Sequence, residues 1–296
     1  MKKIGIIIIG LFLVFLCGFA VEKRALIVAI SDYPPHSGWS QLNSLNDVER
    51  LMNTLTRQGF REENIIILRN SEATKQGIVV GFKLLQRQVR QGDFVFVHFS
   101  AHGQQMENLD GAEPDGLDEA IIPYDAQYRF IAGVYEGENH LRDKKINELL
   151  MPIRRTLGES GKLIVSIDAC HAESMTRAEE GDVIRGTATI FGSPEFIRNF
   201  RRSEVAQLPL IQERGLAPIT ELAASQAHEP NFEHQSGDRN YGSLTYALTT
   251  VWDRHNAFSF GVWSEEIREI MRNSRTAQWQ TPVFRTTLEE YADRFN

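Results

Sequence analysis

"KLIVSIDACHAES" (residues 162–174) climbs through an apolar run to Ile167 and then breaks into Asp168, Ala169, Cys170 and His171. The run is short, rich in β-branched residues and apolar on both faces. That pattern predicts a strand of a parallel sheet covered by helices on either side. In open sheets of this kind ligands bind beyond the carboxyl ends of the strands. The break therefore places a thiol and two ionisable groups where such a fold does its chemistry.

The thiol has no neighbour to pair with. The sequence holds two cysteines, and Cys17 lies in "MKKIGIIIIGLFLVFLCGFA" (1–20), where two lysines precede an apolar stretch ending in Gly18 and Ala20. That is the layout of a secretory signal peptide cleaved after Ala20, which predicts export to the periplasm or beyond. The alternative is an uncleaved anchor, since Ile4 to Ala20 sits at the short edge of a membrane span. Lipoprotein processing at Cys17 is disfavoured by the bulky Phe15 and Leu16. In the cleaved chain Cys170 stands alone, and a leftover cysteine in an exported protein is an intermolecular bridge or a reactive thiol. Losing Lys2 and Lys3 takes the formal charge from −7 to −9. An acidic chain without a basic block argues against nucleic acid as a partner and leaves a cationic substrate open.

Outward from residue 162 the same grammar repeats. Runs at 24–31, 64–70, 93–101 and 162–169 read as strands. Asn46 is placed to cap a helix carrying Val48, Leu51, Met52 and Leu55, and 74–91 and 144–156 read as two more. Residues 103–143 are rich in Gly, Asp and Glu and read as long surface loops, with a hairpin around "EAIIP". A second set follows: strand 219–225, helix 241–252, helix 263–274 and strand 281–287. The order predicts an α/β fold with one open, mostly parallel six-stranded sheet flanked by helices. A large section (21–204) ends in a polar linker that begins near 175 and runs to about 217. A small section (205–296) completes the single domain.

A thiol attacks carbonyls as thiolate, and a nearby imidazole can take its proton and later protonate the leaving amine. His98, Ser100 and His102 alternate at period two and would share a face if the third strand persists that far. His171 adjoins Cys170, but neighbouring side chains diverge, whereas His102 ends a different strand and can face the sulfur. His102 and Cys170 are therefore the expected catalytic pair, with the backbone N–H groups of Gly103 and Cys170 as oxyanion donors. His36, His140, His228, His234 and His255 lie in predicted loops or on helix surfaces, without comparable context.

"FVFVHFSAHGQQ" (94–105), "DGLDEAIIPYDA" (115–126) and "LIVSIDACHAES" (163–174) resemble, in that order, the signature blocks of caspase-like cysteine peptidases, most closely metacaspases and their bacterial relatives. "YGSLTYAL" (241–248) is similar to the Gly-x-[Phe/Leu]-Thr segment of their small section. The resemblance implies a Cys170–His102 dyad and a pocket for a basic P1 side chain formed by Asp47, Ser100 and Asp168. Two carboxylates converging on one pocket repel unless a cation joins them, and a planar guanidinium pairs best. The resemblance also implies calcium as the candidate metal, with Asp118 and Asp143 at matching places and Glu179 or Glu180 as a further donor. His171-Ala172-Glu173 departs from the usual His-Ser-Gly, and Arg177 stands where an acidic ligand would be wanted.

The expected function is then an exported, monomeric cysteine endopeptidase cutting polypeptides after Arg and less well after Lys, with no organic cofactor and no stable membrane span once the signal is removed. Alternatives are a caspase-clan peptidase of legumain-like or clostripain-like specificity, and a non-catalytic binding protein of the same fold. The linker carries Arg177, Arg185, Arg198, Arg201, Arg202 and Arg214 in polar sequence expected to be exposed. Self-cleavage is expected around Arg185 or the Arg198–Arg202 cluster.

Overall fold

The computed structural model describes residues 21–111, 113–169, 181–201, 210, 212–227, 229–255 and 258–288. The signal-peptide reading, Cys170, His171, Glu173, Arg177, Glu179, Glu180, Arg202 and His228 lie outside the described residues.

In chain order the elements are β1 (Lys23–Ala29), α1 (Ser44–Arg57), β2 (Ile65–Arg69), α2 (Lys75–Gln88), β3 (Phe94–Ser100), β4 (Gly103–Glu107), β5 (Leu117–Ile121) and β6 (Leu141–Arg142). There follow α3 (Asp143–Leu157), β7 (Lys162–Asp168), α4 (Pro194–Asn199), β8 (Ile219–Ala223), β9 (Glu233–Ser236), β10 (Arg239–Gly242), α5 (Ser243–Arg254), α6 (Phe260–Arg272) and β11 (Val283–Thr286). Six strands form the main sheet in the order β11-β8-β7-β3-β1-β2, with β11 alone antiparallel to its neighbour.

The strands that read as apolar on both faces are so because each feeds two cores. In β1, Leu26 and Val28 point to one side while Ala25, Ile27 and Ala29 point to the other. Val95, Val97, Leu163 and Val165 join the first core with residues of α2 and α3, and Phe96 and Ile164 join the second with α1, α5 and α6. This is the period-two alternation of a strand covered on both sides. Continuing it, His98, Ser100, Ser166 and Asp168 form a buried polar stripe on the α1/α5 face. Ser100 and Asp168 are direct register partners at the carboxyl ends of β3 and β7.

The structure departs from several expectations. Helix α1 begins at Ser44, and Asn46 caps nothing; its Nδ2 donates to the Asn240 carbonyl at 2.9 Å. The stretch 103–143, read as loops with one hairpin, contains a three-stranded sheet, β4-β5-β6, whose residues are largely buried. Its polar sequence hid this because Gln104, Gln105 and Asp118 are buried with partners. His140 is likewise fully buried, between the Tyr135 hydroxyl and Gln104 Oε1 at 2.9 and 3.0 Å.

Candidate active site

Strand β3 ends at Ser100, so only His98 and Ser100 share its face, with His98 Nε2 3.3 Å from Thr245 Oγ1. His102 lies in the turn to β4 and reaches the other way. Its ring stacks on Trp39 with centroids 4.8 Å apart and packs against Tyr33 at 5.0 Å, while its backbone N–H donates to the Tyr33 hydroxyl. His102 Nε2 is 2.9 Å from the Ser40 carbonyl oxygen, which can only accept. The proton therefore sits on Nε2, and Nδ1 keeps a lone pair with no partner among the described residues. Burial lowers the imidazole pKa to about 4, so the ring is neutral near pH 7. A neutral imidazole with one nitrogen fixed and the other open is a proton acceptor in waiting. Cys170 follows Ala169 two residues past the end of β7, the neighbouring strand.

Asp47, in the first turn of α1, is fully buried. Its Oδ1 accepts the Gly242 N–H at 2.9 Å and its Oδ2 accepts the Ser100 hydroxyl at 2.7 Å. Asp168 Oδ2 accepts both the Thr245 N–H and hydroxyl, at 2.7 and 2.6 Å, and Oδ1 accepts Asn231 Nδ2 at 2.8 Å. The trio expected from sequence is thus assembled from three elements, α1, β3 and β7. Gly242 is required beside it, because a Cβ there would collide with the Asp168 carboxylate and lie 2.7 Å from an arginine nitrogen in the pocket.

That arginine belongs to the chain itself. Arg185, expected in an exposed linker, has 0% of its surface exposed. Its Nη1 lies 2.8 Å from Asp47 Oδ2, 2.7 Å from Ser100 Oγ and 3.9 Å from Asp168 Oδ1. Its Nη2 lies 3.0 Å from Glu233 Oε1. A polar linker was a reasonable reading of composition. What overrides it is a buried cluster of carboxylates, which is unfavourable without a cation. Burial pulls the guanidinium pKa down, but Asp47, Glu233 and Asp168 together outweigh it and raise it.

The backbone around Arg185 is held as an added strand. Arg185 N–H donates to the Asn231 carbonyl and Glu233 N–H to the Val183 carbonyl, both at 2.9 Å, with an antiparallel bridge between Ile184 and Phe232. On the far side the Arg185 carbonyl oxygen lies 3.3 Å from the Gly103 N–H, the donor expected to hold an oxyanion. The chain then runs beside β4 to Phe191, whose ring is buried against Phe130, Tyr135 and His140. An extended segment paired on one edge, with one side chain in a deep pocket and its carbonyl on an isolated N–H, is how a peptide is presented for acyl transfer.

A family model described as metacaspase, peptidase C14 domain, matches residues 23–178. The chain belongs to the metacaspase family. Metacaspase-1 of Eremothecium gossypii is 31% identical over 160 residues, covering 52% of this chain and 32% of that protein. Metacaspase-1B of Aspergillus fumigatus is 32% identical over 159 residues, covering 51% and 35%. The matched stretch thus spans about a third of the length of these relatives. A crystal structure of a protein from Geobacter sulfurreducens shares the fold with a TM-score of 0.60 at 21% identity, covering 90% of this chain and 93% of that one. The caspase-like α/β architecture expected from sequence is the one observed.

For this metacaspase the expected calcium donors fare differently from the pocket. Asp118 is held by Arg142, by Lys144 Nζ at 3.1 Å and by Asn108 Nδ2 at 2.6 Å. Asp143 accepts the Lys144 N–H and lines a cavity with Glu119, Glu221 and Arg285, its pKa pushed up to about 6, chiefly by burial. Calcium takes six to eight oxygens. Among the described residues no three His, Cys, Asp or Glu side chains stand where they could share a metal. With two cations on Asp118, and Glu179 and Glu180 outside the described residues, the described carboxylates do not by themselves assemble such a site.

Sequence reading missed Glu233, Asn231, Ser40, Trp39 and Tyr33, which all serve the site. "YGSLTYAL" did signal Gly242 and Thr245, as a block without an assigned role. No pattern marked the others, because they act through distances across the fold. Among the described residues no helix is long and apolar enough to cross a membrane.

Proposed function

We propose that this chain is a cysteine endopeptidase that cuts after Arg, and less well after Lys, and that its first substrate is its own Arg185–Gly186 bond. The observation that carries this reading is Arg185 seated in the acidic pocket with its carbonyl oxygen on the Gly103 N–H. In this mechanism His102 Nδ1 takes the Cys170 thiol proton and the sulfur attacks the arginine carbonyl carbon. The oxygen becomes an oxyanion held by the N–H groups of Gly103 and Cys170. Collapse breaks the C–N bond, and protonated His102 gives its proton to the departing amine of Gly186. Water, deprotonated by His102, then cleaves the thioester, leaving the Arg185 carboxylate and restoring the thiol. Arg142 and Lys144 supply positive charge at Asp118. Residues 1–20 direct export.

Arg185 is favoured over Arg198 and Arg201 because it alone of the three is buried among carboxylates of the described residues; Arg198, on α4, and Arg201 are exposed. Purified wild type should yield two fragments, with mass spectrometry placing the new ends at Arg185 and Gly186. Cys170→Ala and His102→Ala should each remain whole. Identical fragments from Cys170→Ala, or ends that follow neither arginine nor lysine, would rule the reading out.

A further inference from the structure

We infer that Glu233 is the residue that makes this pocket choose arginine over lysine, a step that rests on the pocket receiving the P1 side chain of substrates. The two terminal nitrogens of the seated guanidinium are served by different groups. Nη1 takes Asp47 and Ser100, at 2.8 and 2.7 Å. Nη2 takes Glu233 Oε1 at 3.0 Å, the only carboxylate paired with that nitrogen among the described residues.

Glu233 is also held by groups other than the arginine. It opens β9, and its side chain is 1% exposed. Oε1 also accepts the Asn43 N–H at 2.9 Å, and Oε2 accepts Asn43 Nδ2 at 2.6 Å. Its backbone carbonyl accepts the Thr276 hydroxyl at 2.7 Å. Asn43, just before α1, is thus a positioning residue. Glu233's own N–H holds the Val183 carbonyl, so one residue binds the segment two positions upstream by its backbone and the arginine by its side chain.

A planar guanidinium offers donors in a fixed fork, whereas an ammonium is a single point on a flexible stem. A lysine seated on Asp47 and Ser100 leaves Glu233 buried without a cation. A lysine drawn to Glu233 leaves Asp47 in that state. Either placement carries the cost of an uncompensated buried carboxylate. Glu233 does not strengthen binding of both residues alike; it penalises the wrong one.

The test measures kcat/KM on a matched pair of fluorogenic peptides, Val-Ile-Arg and Val-Ile-Lys, for self-processed wild type, Glu233→Gln and Glu233→Asp, with thermal melting to confirm folding. Glu233→Gln should lower arginine turnover about 30-fold, the effect of removing one partner of a buried charge pair, and should raise lysine turnover, because it removes the carboxylate that a seated lysine leaves unpaired. Glu233→Asp keeps the charge but shortens the reach, and should also lose much of the arginine preference. If either variant fails to fold, the self-cleavage rate of Arg185→Lys, alone and with Asn43→Ala, reads the same preference, since a freed Glu233 should slow the arginine chain and not the lysine chain. Wild type that cuts neither peptide would overturn the peptidase reading itself. An arginine-to-lysine ratio that is the same in wild type and in every folded variant would overturn the assignment of Glu233 alone.

Discussion

At the scale of single residues, burial moves two ionisations at the candidate site in opposite directions. Burial lowers His102 to about 4, so on its own the ring is neutral through the physiological range. Burial raises Asp47 to about 6, with Asp168 and Glu233 adding to the rise and Arg185 and the Ser100 hydroxyl opposing it. Asp47 must be ionised to hold a guanidinium. Lowering the pH through about 6 protonates it, and attraction for arginine is lost on the acid side. Because Arg185 pulls this pKa down, emptying the pocket moves the limb upward. kcat/KM for an arginine peptide should therefore fall below a limb at or above pH 6, well before His102 titrates. Asp47→Asn should abolish that limb and cost about 2–5 kcal/mol in transition-state binding at pH 7.5. A limb unchanged in Asp47→Asn would place the titrating group elsewhere.

At the scale of elements, the pocket exists because strands and helices end at the same level. β3 and β7 deliver Ser100 and Asp168 as register partners, α1 delivers Asp47 from its first turn, and the start of α5 closes the floor through Gly242 and Thr245. Gly242 has an ordinary negative φ of −56°, so its requirement is one of space rather than backbone freedom. Gly242→Ala forces a methyl group into the Asp168 carboxylate and the seated arginine. Self-cleavage and arginine-peptide turnover should both fall by at least about 100-fold, with a melting temperature lowered by a few degrees from overpacking. Normal self-cleavage in this variant would mean that α5 can withdraw from the pocket without consequence.

Across the whole molecule, one segment joins the pocket to two sheets. Residues 183–191 are paired to the start of β9 on one side of Arg185 and to β4 on the other, and Phe191 anchors the far end. On the proposed self-cleavage, the pocket stays filled by a tethered arginine at high effective concentration until the bond is cut. Peptide hydrolysis by freshly folded wild type should show a lag that matches the appearance of fragments. Arg185→Ala should show no lag and no cut at that bond. The fragments should remain together on native size-exclusion, because β8 of the small section sits between β7 and β11 in the shared sheet. A lag of equal length in Arg185→Ala would mean that something other than Arg185 limits the onset of activity.

Much of this was legible from residues alone, because it is written in local pattern. Short β-branched runs marked β1, β3 and β7, and the arrival of Asp168 after Ile167 marked where β7 stops. The resemblance to caspase-like peptidases implied a pocket for a basic side chain at Asp47, Ser100 and Asp168. Tertiary structure decided what depends on distance across the chain. The β4-β5-β6 sheet escaped notice because its buried polar side chains find partners that composition cannot show. Glu233 escaped because a single glutamate in a polar stretch carries no periodicity. The place of Arg185 was decided in the same way: a linker arginine reads as solvated until three carboxylates from distant parts of the chain converge on it, and only folding brings them within 4 Å.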